Sequence, residues 1–231
     1  MLVDDLSPSM QNYIKAIWGL QEWSDEPISP STIAETVGVR LSTVSDAVRK
    51  LGEQGLVDHV RYGTVALTDL GRRHAVSMVR RHRLIESFLV GALGYEWDEV
   101  HDEADRLEHA VSDTLVSRID AFLGFPTRDP HGDPIPSADG VVHRPDATQL
   151  SEIAPGCRVR VERISDSDGG MLQYFASQGI IVDAVLEVQP GEPFSGTVQV
   201  QVAGSPAGVS LGAQAAASIW ASTLSELGNN S

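Results

Sequence analysis

The chain has 231 residues, a formal net charge of −15 and one cysteine. That length accommodates two or three small domains, each with its own core. A lone Cys157 excludes an intramolecular disulfide and a Cys-rich zinc site and reads as a small core hydrophobe, while the lack of 18 consecutive apolar residues, or of an apolar run behind MLVDDLSPSM, leaves no expected membrane span or signal peptide. A cytoplasmic protein without a membrane partner is the expectation.

An acidic total argues against nucleic acid, but the charges are segregated. Residues 1–35 carry one Lys against six acids, residues 36–83 nine Lys/Arg against four, and residues 84–231 seven Arg against 22. A basic segment between acidic flanks fits a module that meets phosphate joined to modules that meet cations.

Tyr13, Ile14, Ile17, Trp18 and Leu20 recur at helical spacing, which predicts a first helix from about Pro8 to Glu22. Ser29 is a predicted N-cap with Pro30 at the first helical position, Ile33, Ala34 and Val37 form the apolar face, and Gly38 ends the helix. Ser42 is then expected to cap a third helix that turns Val44, Ala47, Val48 and Leu51 inward and Thr43, Ser45, Asp46, Arg49 and Lys50 outward. LVDHV and VALT around RYGT read as a hairpin. Helix, helix, tight turn, helix and hairpin is a winged helix-turn-helix, in which the third helix enters the major groove and the wing meets the backbone. Arg40, Ser42, Thr43, Ser45 and Arg49 are the candidate groove contacts, with Lys50, Arg61 and Tyr62 toward phosphates. Asp46 either accepts a hydrogen bond from cytosine N4 or helps to cap its helix.

A helix is predicted from Thr68 through the arginines 72, 73, 80, 81 and 83 into LIESFLVGALG, and another from about Trp97 to Leu123 with Ala104, Leu107, Val111, Leu115 and Ile119 as its apolar stripe. Two amphipathic helices outside a complete winged domain need a partner surface, and dimerisation is their expected task. Residues 126–150 are rich in Pro, Gly and Asp and read as a linker. CRVRVERI, AVLEV, TVQVQVA and GVSL read as strands of a small β-barrel, with MLQYFASQG helical and AQAAASIWAS covering one end. The expected divisions are residues 1–74, 75–143 and 150–228.

HDEADRLEHA, residues 101–110, is the densest chemistry in the chain. On a helix, His101, Asp105, Glu108 and His109 fall within an arc of roughly 100°. His82 and Glu86 stand four apart on the preceding helix. Two facing helices that each offer imidazole and carboxylate can enclose a divalent cation, and an empty cage of this kind would repel itself. The alternative is a solvated face with Arg83 or Arg106 as counter-ions.

Together with the winged module and terminal barrel, RRHRLIESFL (80–89) and VHDEADRLEHAVSD (100–113) resemble the diphtheria toxin repressor family of metal-dependent transcriptional regulators. RDPHGDPIP (128–136) resembles the segment after that family's dimerisation helices, and the last domain its SH3-like module. The resemblance implies a mainly α, multidomain homodimer that binds palindromic operator DNA when loaded with a divalent metal, controls metal homeostasis, and is not an enzyme. It implies a first cation held by Asp105, Glu108 and His109 with Asn12 from the first helix. A second would be held by His82, Glu86 and His101, joined by Asp129, His131, Asp166 or Asp168. Two ions per subunit are therefore expected. In iron-type members the position of Asp105 holds Cys, and in manganese regulators a carboxylate. A hard oxygen donor suits Mn²⁺, with Fe²⁺ the alternative. Asn12 departs from the Asp of manganese-type members but keeps an oxygen donor. No organic cofactor is implied.

Two other classes compete. A metal-dependent hydrolase would use similar side chains, but no HExxH or comparable nucleophile signature occurs. A winged regulator responding to an organic ligand would leave the His/Asp/Glu pattern without a task.

Overall fold

The computed structural model describes residues 5–60, 63–191 and 194–224. Its internal contacts divide it into two units. One comprises the described part of Met1–Ile85 with Ala104–Phe122 and Ile135–Val142; the other comprises Glu86–Glu103, Leu123–Pro134 and the described part of His143–Ser231.

In the first unit, α1 (Pro8–Glu22) has the predicted bounds, with Ser7 accepting from the Met10 amide. Ser29 caps α2 (Pro30–Val37) by accepting from the Thr32 amide, and Gly38 closes that helix in the left-handed region at φ 70°. The third helix, α3 (Leu41–Glu53), begins one residue earlier than expected: Arg40 is its N-cap, and Ser42 lies inside the helix. Ser42 therefore makes no cap, and its exposed side chain leaves the helix surface free for other contacts. Strands β1 (Val57–Val60) and β2 (Thr64–Leu67) pair antiparallel, Val57 opposite Leu67. Ile14, Ile17, Ile33, Val44, Leu51 and Leu56, all fully buried, fuse these elements into one core, each worth roughly 1.5–3 kcal/mol of transfer free energy.

Helix α4 (Asp69–Leu93) and helix α5 (Val100–Leu107) each run from one unit into the other. The start of α4 is fixed by Thr68, whose Oγ1 donates to the Gly55 carbonyl at 2.7 Å and accepts from the Gly71 amide at 3.0 Å. Gly71 is obligatory there, because a Cβ would stand 1.9 Å from the Leu56 carbonyl oxygen. The single helix expected from Trp97 to Leu123 is instead two. Chain 108–112 turns, and α6 (Asp113–Phe122) starts afresh with Ser112 accepting from the Leu115 amide and Asp113 in the first turn. Ser and Asp bond backbone amides at a helix start better than they sustain a helix interior, so VSD breaks the run. The break shifts the apolar stripe: Val116 and Ile119 are buried and Leu115 is exposed.

The second unit is built on an antiparallel sheet of order β3-β8-β4-β5-β6-β7. Its strands are β3 (Thr148–Gln149), β4 (Arg158–Ile164), β5 (Val185–Gln189), β6 (Val198–Val202), β7 (Gly208–Leu211) and β8 (Ile219–Thr223). It is an SH3-like sheet with β3 and β7 at its edges, not the closed barrel expected. Helix α7 (Gly169–Ser177) packs Leu172 and Phe175 into its core. AQAAASIWAS is only half a cover. Short α8 (Ala213–Ala217) gives way to β8, because alternation of Ile219 and Ala221 inward places IWAST against β4 as a strand. Cys157 is partly buried against this core.

The expected linker is also corrected. Asp129 and residues 131–136 are buried, and Pro130 is partly so. In the second unit the Asp129 carboxylate accepts from the His131 and Asp133 amides, both at 2.9 Å, and the His131 carbonyl accepts from the Ile164 amide of β4. Arg163 of β4 clamps Asp133 at 2.7 Å and stacks over Trp220. Gly132, at φ +91°, lies so close that a Cβ would meet the Glu162 carbonyl at 2.0 Å. Pro, Gly and Asp here build a pinned turn, not a tether.

Candidate metal centre

Among the described residues, ligand-type side chains gather in each unit. In the first unit, α4 supplies His82, the second half of α5 supplies Asp105, and the turn after it supplies Glu108 and His109. His82 Nδ1 lies 2.7 Å from Glu108 Oε2 and 3.3 Å from Asp105 Oδ1. Glu108 is completely buried, and Asp105 is half-exposed.

A residue that sequence reasoning missed stands at the centre of this cluster. Lys15 Nζ of α1 donates to Asp105 Oδ1 at 2.7 Å and to both Glu108 carboxylate oxygens at 2.8 Å, and lies 3.3 Å from His82 Nδ1. The ammonium occupies the position of a cation among these acceptors. The expected self-repulsion of an empty cage is therefore relieved in part from within, by one ammonium between two carboxylates. Burial alone would depress the Lys15 ammonium; the Glu108 and Asp105 carboxylates reverse this and hold its pKa above the ordinary lysine value. The sequence did carry a signal: Lys15 is the one basic residue in an acidic stretch of 35, one helical turn beyond Asn12.

His109 is oriented by α1 as well. Its Nδ1 donates to Gln11 Oε1 at 2.6 Å, and its Nε2 faces Glu108 Oε1 at 3.6 Å. Burial lowers its pKa, which favours the neutral imidazole that a metal requires. Asn12 Oδ1 is buried with no hydrogen-bond partner among the described residues. An orphaned amide oxygen of this kind is an acceptor awaiting a donor or a cation. Two carboxylates and two imidazoles fit a hard or borderline divalent metal, and no thiolate is among them.

In the second unit, Glu86 is buried to 1 % exposure between two histidines. Its Oε1 is 3.3 Å from His101 Nδ1, and that nitrogen lies 2.8 Å from Asp166 Oδ2. Its Oε2 is 3.8 Å from His131 Nδ1, and Glu86, Asp129 and His131 bring ligand atoms within 4.8 Å of one another. His131 donates from Nε2 to the Trp97 carbonyl at 2.7 Å and stacks on the Trp97 ring, and its Nδ1 is buried without a hydrogen-bond partner among the described residues. Burial opposes protonation of both histidines. Asp166 and Glu86 outweigh it at His101, raising its pKa to about 11, and Glu86 does so at His131, raising it to about 10. Asp166 is held well below the usual carboxylate range, its burial overcome by His101.

Of the two acids proposed from DSDGG, the structure brings Asp166 to the cluster and not Asp168. Asp168 is the N-cap of α7, accepting from the Met171 amide at 3.0 Å. That task points its carboxylate along its own helix.

On the winged module, Arg40, Ser42, Thr43, Ser45, Arg49 and Lys50 are all exposed along α3. Arg49 pairs with Glu53 at 2.6 Å, and Ser45 donates to the Leu41 carbonyl. Arg61 and Tyr62 lie outside the described residues. No helix among the described residues is long and apolar enough to cross a membrane.

The comparisons agree with this architecture. Residues 5–65 match the iron dependent repressor N-terminal DNA binding domain, residues 68–137 the iron dependent repressor metal binding and dimerisation domain, and residues 148–223 the FeoA domain. The iron-dependent repressor IdeR of Mycobacterium leprae is 31 % identical over 81 % of this chain and 86 % of its own length. The diphtheria toxin repressor of Corynebacterium diphtheriae is 35 % identical over 67 % of this chain and 66 % of its own. A solved manganese-dependent transcriptional repressor in complex with manganese is 56 % identical, covering 93 % of this chain and 100 % of that one, with a TM-score of 0.89. The matched DNA-binding, metal-binding and dimerisation, and FeoA models thus follow one another along the winged module, the helices after it and the SH3-like unit, and the chain belongs to the iron-dependent, or diphtheria toxin, repressor family of metal-dependent transcriptional repressors.

Proposed function

We propose that this repressor responds to Mn²⁺, acts in the cytoplasm as a homodimer on palindromic operator DNA to control metal homeostasis, binds two ions per subunit and catalyses no reaction. The observation that carries the choice of metal is the donor set of the first cluster: Asp105 stands where a thiolate would favour a softer ion, and every other donor is oxygen or imidazole. The 56 % identity to a repressor solved with manganese supports the same reading. Fe²⁺ is the second reading, favoured by the iron-dependent relatives at 31–35 % identity.

Asn12, Asp105, Glu108 and His109 would hold the first ion, with His82 Nδ1 facing the same carboxylates. Glu86, His101 and Asp166, joined by Asp129 and His131, would hold the second. A bound divalent cation supplies charge that links these side chains. The protein's own contribution is positional. Gln11 orients His109, the Trp97 carbonyl orients His131, and α1 joins the first cluster to the winged module whose α3 carries Arg40, Ser42, Thr43, Ser45, Arg49 and Lys50 toward DNA, with Arg61 and Tyr62 in the wing. Metal tightens operator binding to the extent that it favours the DNA-competent arrangement, and operator then tightens metal binding by the same factor. Exposed Leu115 and Phe122 on α6 offer apolar area to a second copy.

The test is fluorescence anisotropy of palindromic promoter DNA titrated with protein at fixed salt, with Mn²⁺, with Fe²⁺ under anaerobic conditions, and with chelator. The proposal expects tight binding with Mn²⁺ and little with chelator. Equal affinity with chelator contradicts it.

A further inference from the structure

The first cluster is full before any metal arrives. Lys15 directs its ammonium at three carboxylate oxygens within 2.8 Å, and both oxygens of the fully buried Glu108 are engaged by it. An ammonium has three donors and no lone pair, so it cannot become a ligand and competes with a second cation for these oxygens. Like charges brought this close repel, most strongly beside the fully buried Glu108.

We propose that Lys15 is the resident counter-cation of the first cluster, and that a divalent ion enters by displacing its ammonium. The proposal rests on the reading of this cluster as a metal site. Metal binding is then an exchange of one cation for another. In the metal-free protein the ammonium sets a full positive charge beside buried Glu108 and fastens α1 to Asp105 and Glu108. Its displacement weakens the net affinity for every competing ion by a common factor, which sets the concentration at which the site fills. It also frees α1 from its ammonium tether and hands that helix to Asn12, whose orphaned Oδ1 lies one turn earlier. The Lys15 side chain already reaches the surface, with 19 % of it exposed, so its stem has a route outward.

The chain has two lysines, Lys15 and Lys50, and Lys50 is exposed on α3. Acetylation of the full-length protein with a water-soluble amine reagent, read peptide by peptide by mass spectrometry, therefore reports Lys15 with Lys50 as an internal reference. Bound Mn²⁺ is counted in the same samples from loss of the free-ion paramagnetic resonance signal. The expected result is slow acetylation of Lys15 in chelator, several-fold faster acetylation with Mn²⁺ bound, and no change at Lys50. Mn²⁺ bound with Lys15 still protected overturns the inference and leaves the metal reading standing; no bound Mn²⁺ removes both. Lys15→Met provides a second arm: it should tighten Mn²⁺ binding at the first cluster by about tenfold or more, and unchanged or weaker binding counts against displacement.

Discussion

His109 Nδ1 donates to the Gln11 amide oxygen at 2.6 Å, so a ring at the end of α5 takes its tautomer and orientation from a side chain on α1. Such a partner frees the other nitrogen to bind metal. Gln11→Leu, close in volume, should weaken Mn²⁺ binding at the first cluster by about 10–100-fold while leaving the second cluster filled. A calorimetric titration showing two unchanged classes of site would contradict this role.

Within three residues, Asp166 joins the second cluster and Asp168 caps a helix. Asp166→Asn should lower metal occupancy of the second cluster and leave α7 intact. Asp168→Asn should leave occupancy unchanged, and Asp168→Ala should cost about 1 kcal/mol of stability through the lost cap. Metal analysis beside urea unfolding in chelator distinguishes them, and loss of an ion from either Asp168 variant would reverse the assignment.

The second cluster should exchange protons for metal. His101 and His131, raised to about 11 and about 10, are protonated at neutral pH in the metal-free protein, and a metal binds only the neutral ring. Mn²⁺ affinity should thus fall as pH falls, and the binding heat should vary with buffer ionisation enthalpy with a slope near two protons. The metal-free fold runs the other way. Raised histidine pKa values stabilise it fully below about 6.5, and the contribution fades as pH climbs through about 10 and about 11. A binding heat independent of buffer would rule out protonated histidines as the starting state.

Arg49 is held by Glu53 at 2.6 Å on the exposed side of α3 and must change partner to meet DNA. Exposed pairs of this kind are weak. Arg49→Ala should weaken operator binding by about 1–3 kcal/mol with metal stoichiometry unchanged. An unaltered operator affinity at moderate salt would remove Arg49 from the interface.

How much of this was legible depended on whether local pattern or distant packing decided the outcome. Periodicity placed α1 at its observed bounds and sorted α3 correctly, Val44, Val48 and Leu51 inward and Ser45, Arg49 and Lys50 outward, because burial alone selects those positions. The resemblance gathered Asp105, Glu108 and His109 and placed His82 with Glu86 and His101; the structure also sets His82 Nδ1 beside Asp105 and Glu108. Lys15 stood out only as a lone base in an acidic stretch, because its importance lies in contacts about 90 residues away in sequence. The break at 108–112 was hidden by a stripe that continues in register by coincidence, and the buried turn at 129–134 by a composition that pinned turns share with linkers. IWAST hid as a strand because an alanine-rich run precedes it.

Diffraction at the manganese absorption edge from crystals grown with Mn²⁺ tests the central claim most directly. The account predicts an anomalous peak among Asp105, Glu108, His82 and His109, at the position held here by the Lys15 ammonium. A map with no peak there, from protein shown to bind its operator only with Mn²⁺, would contradict it.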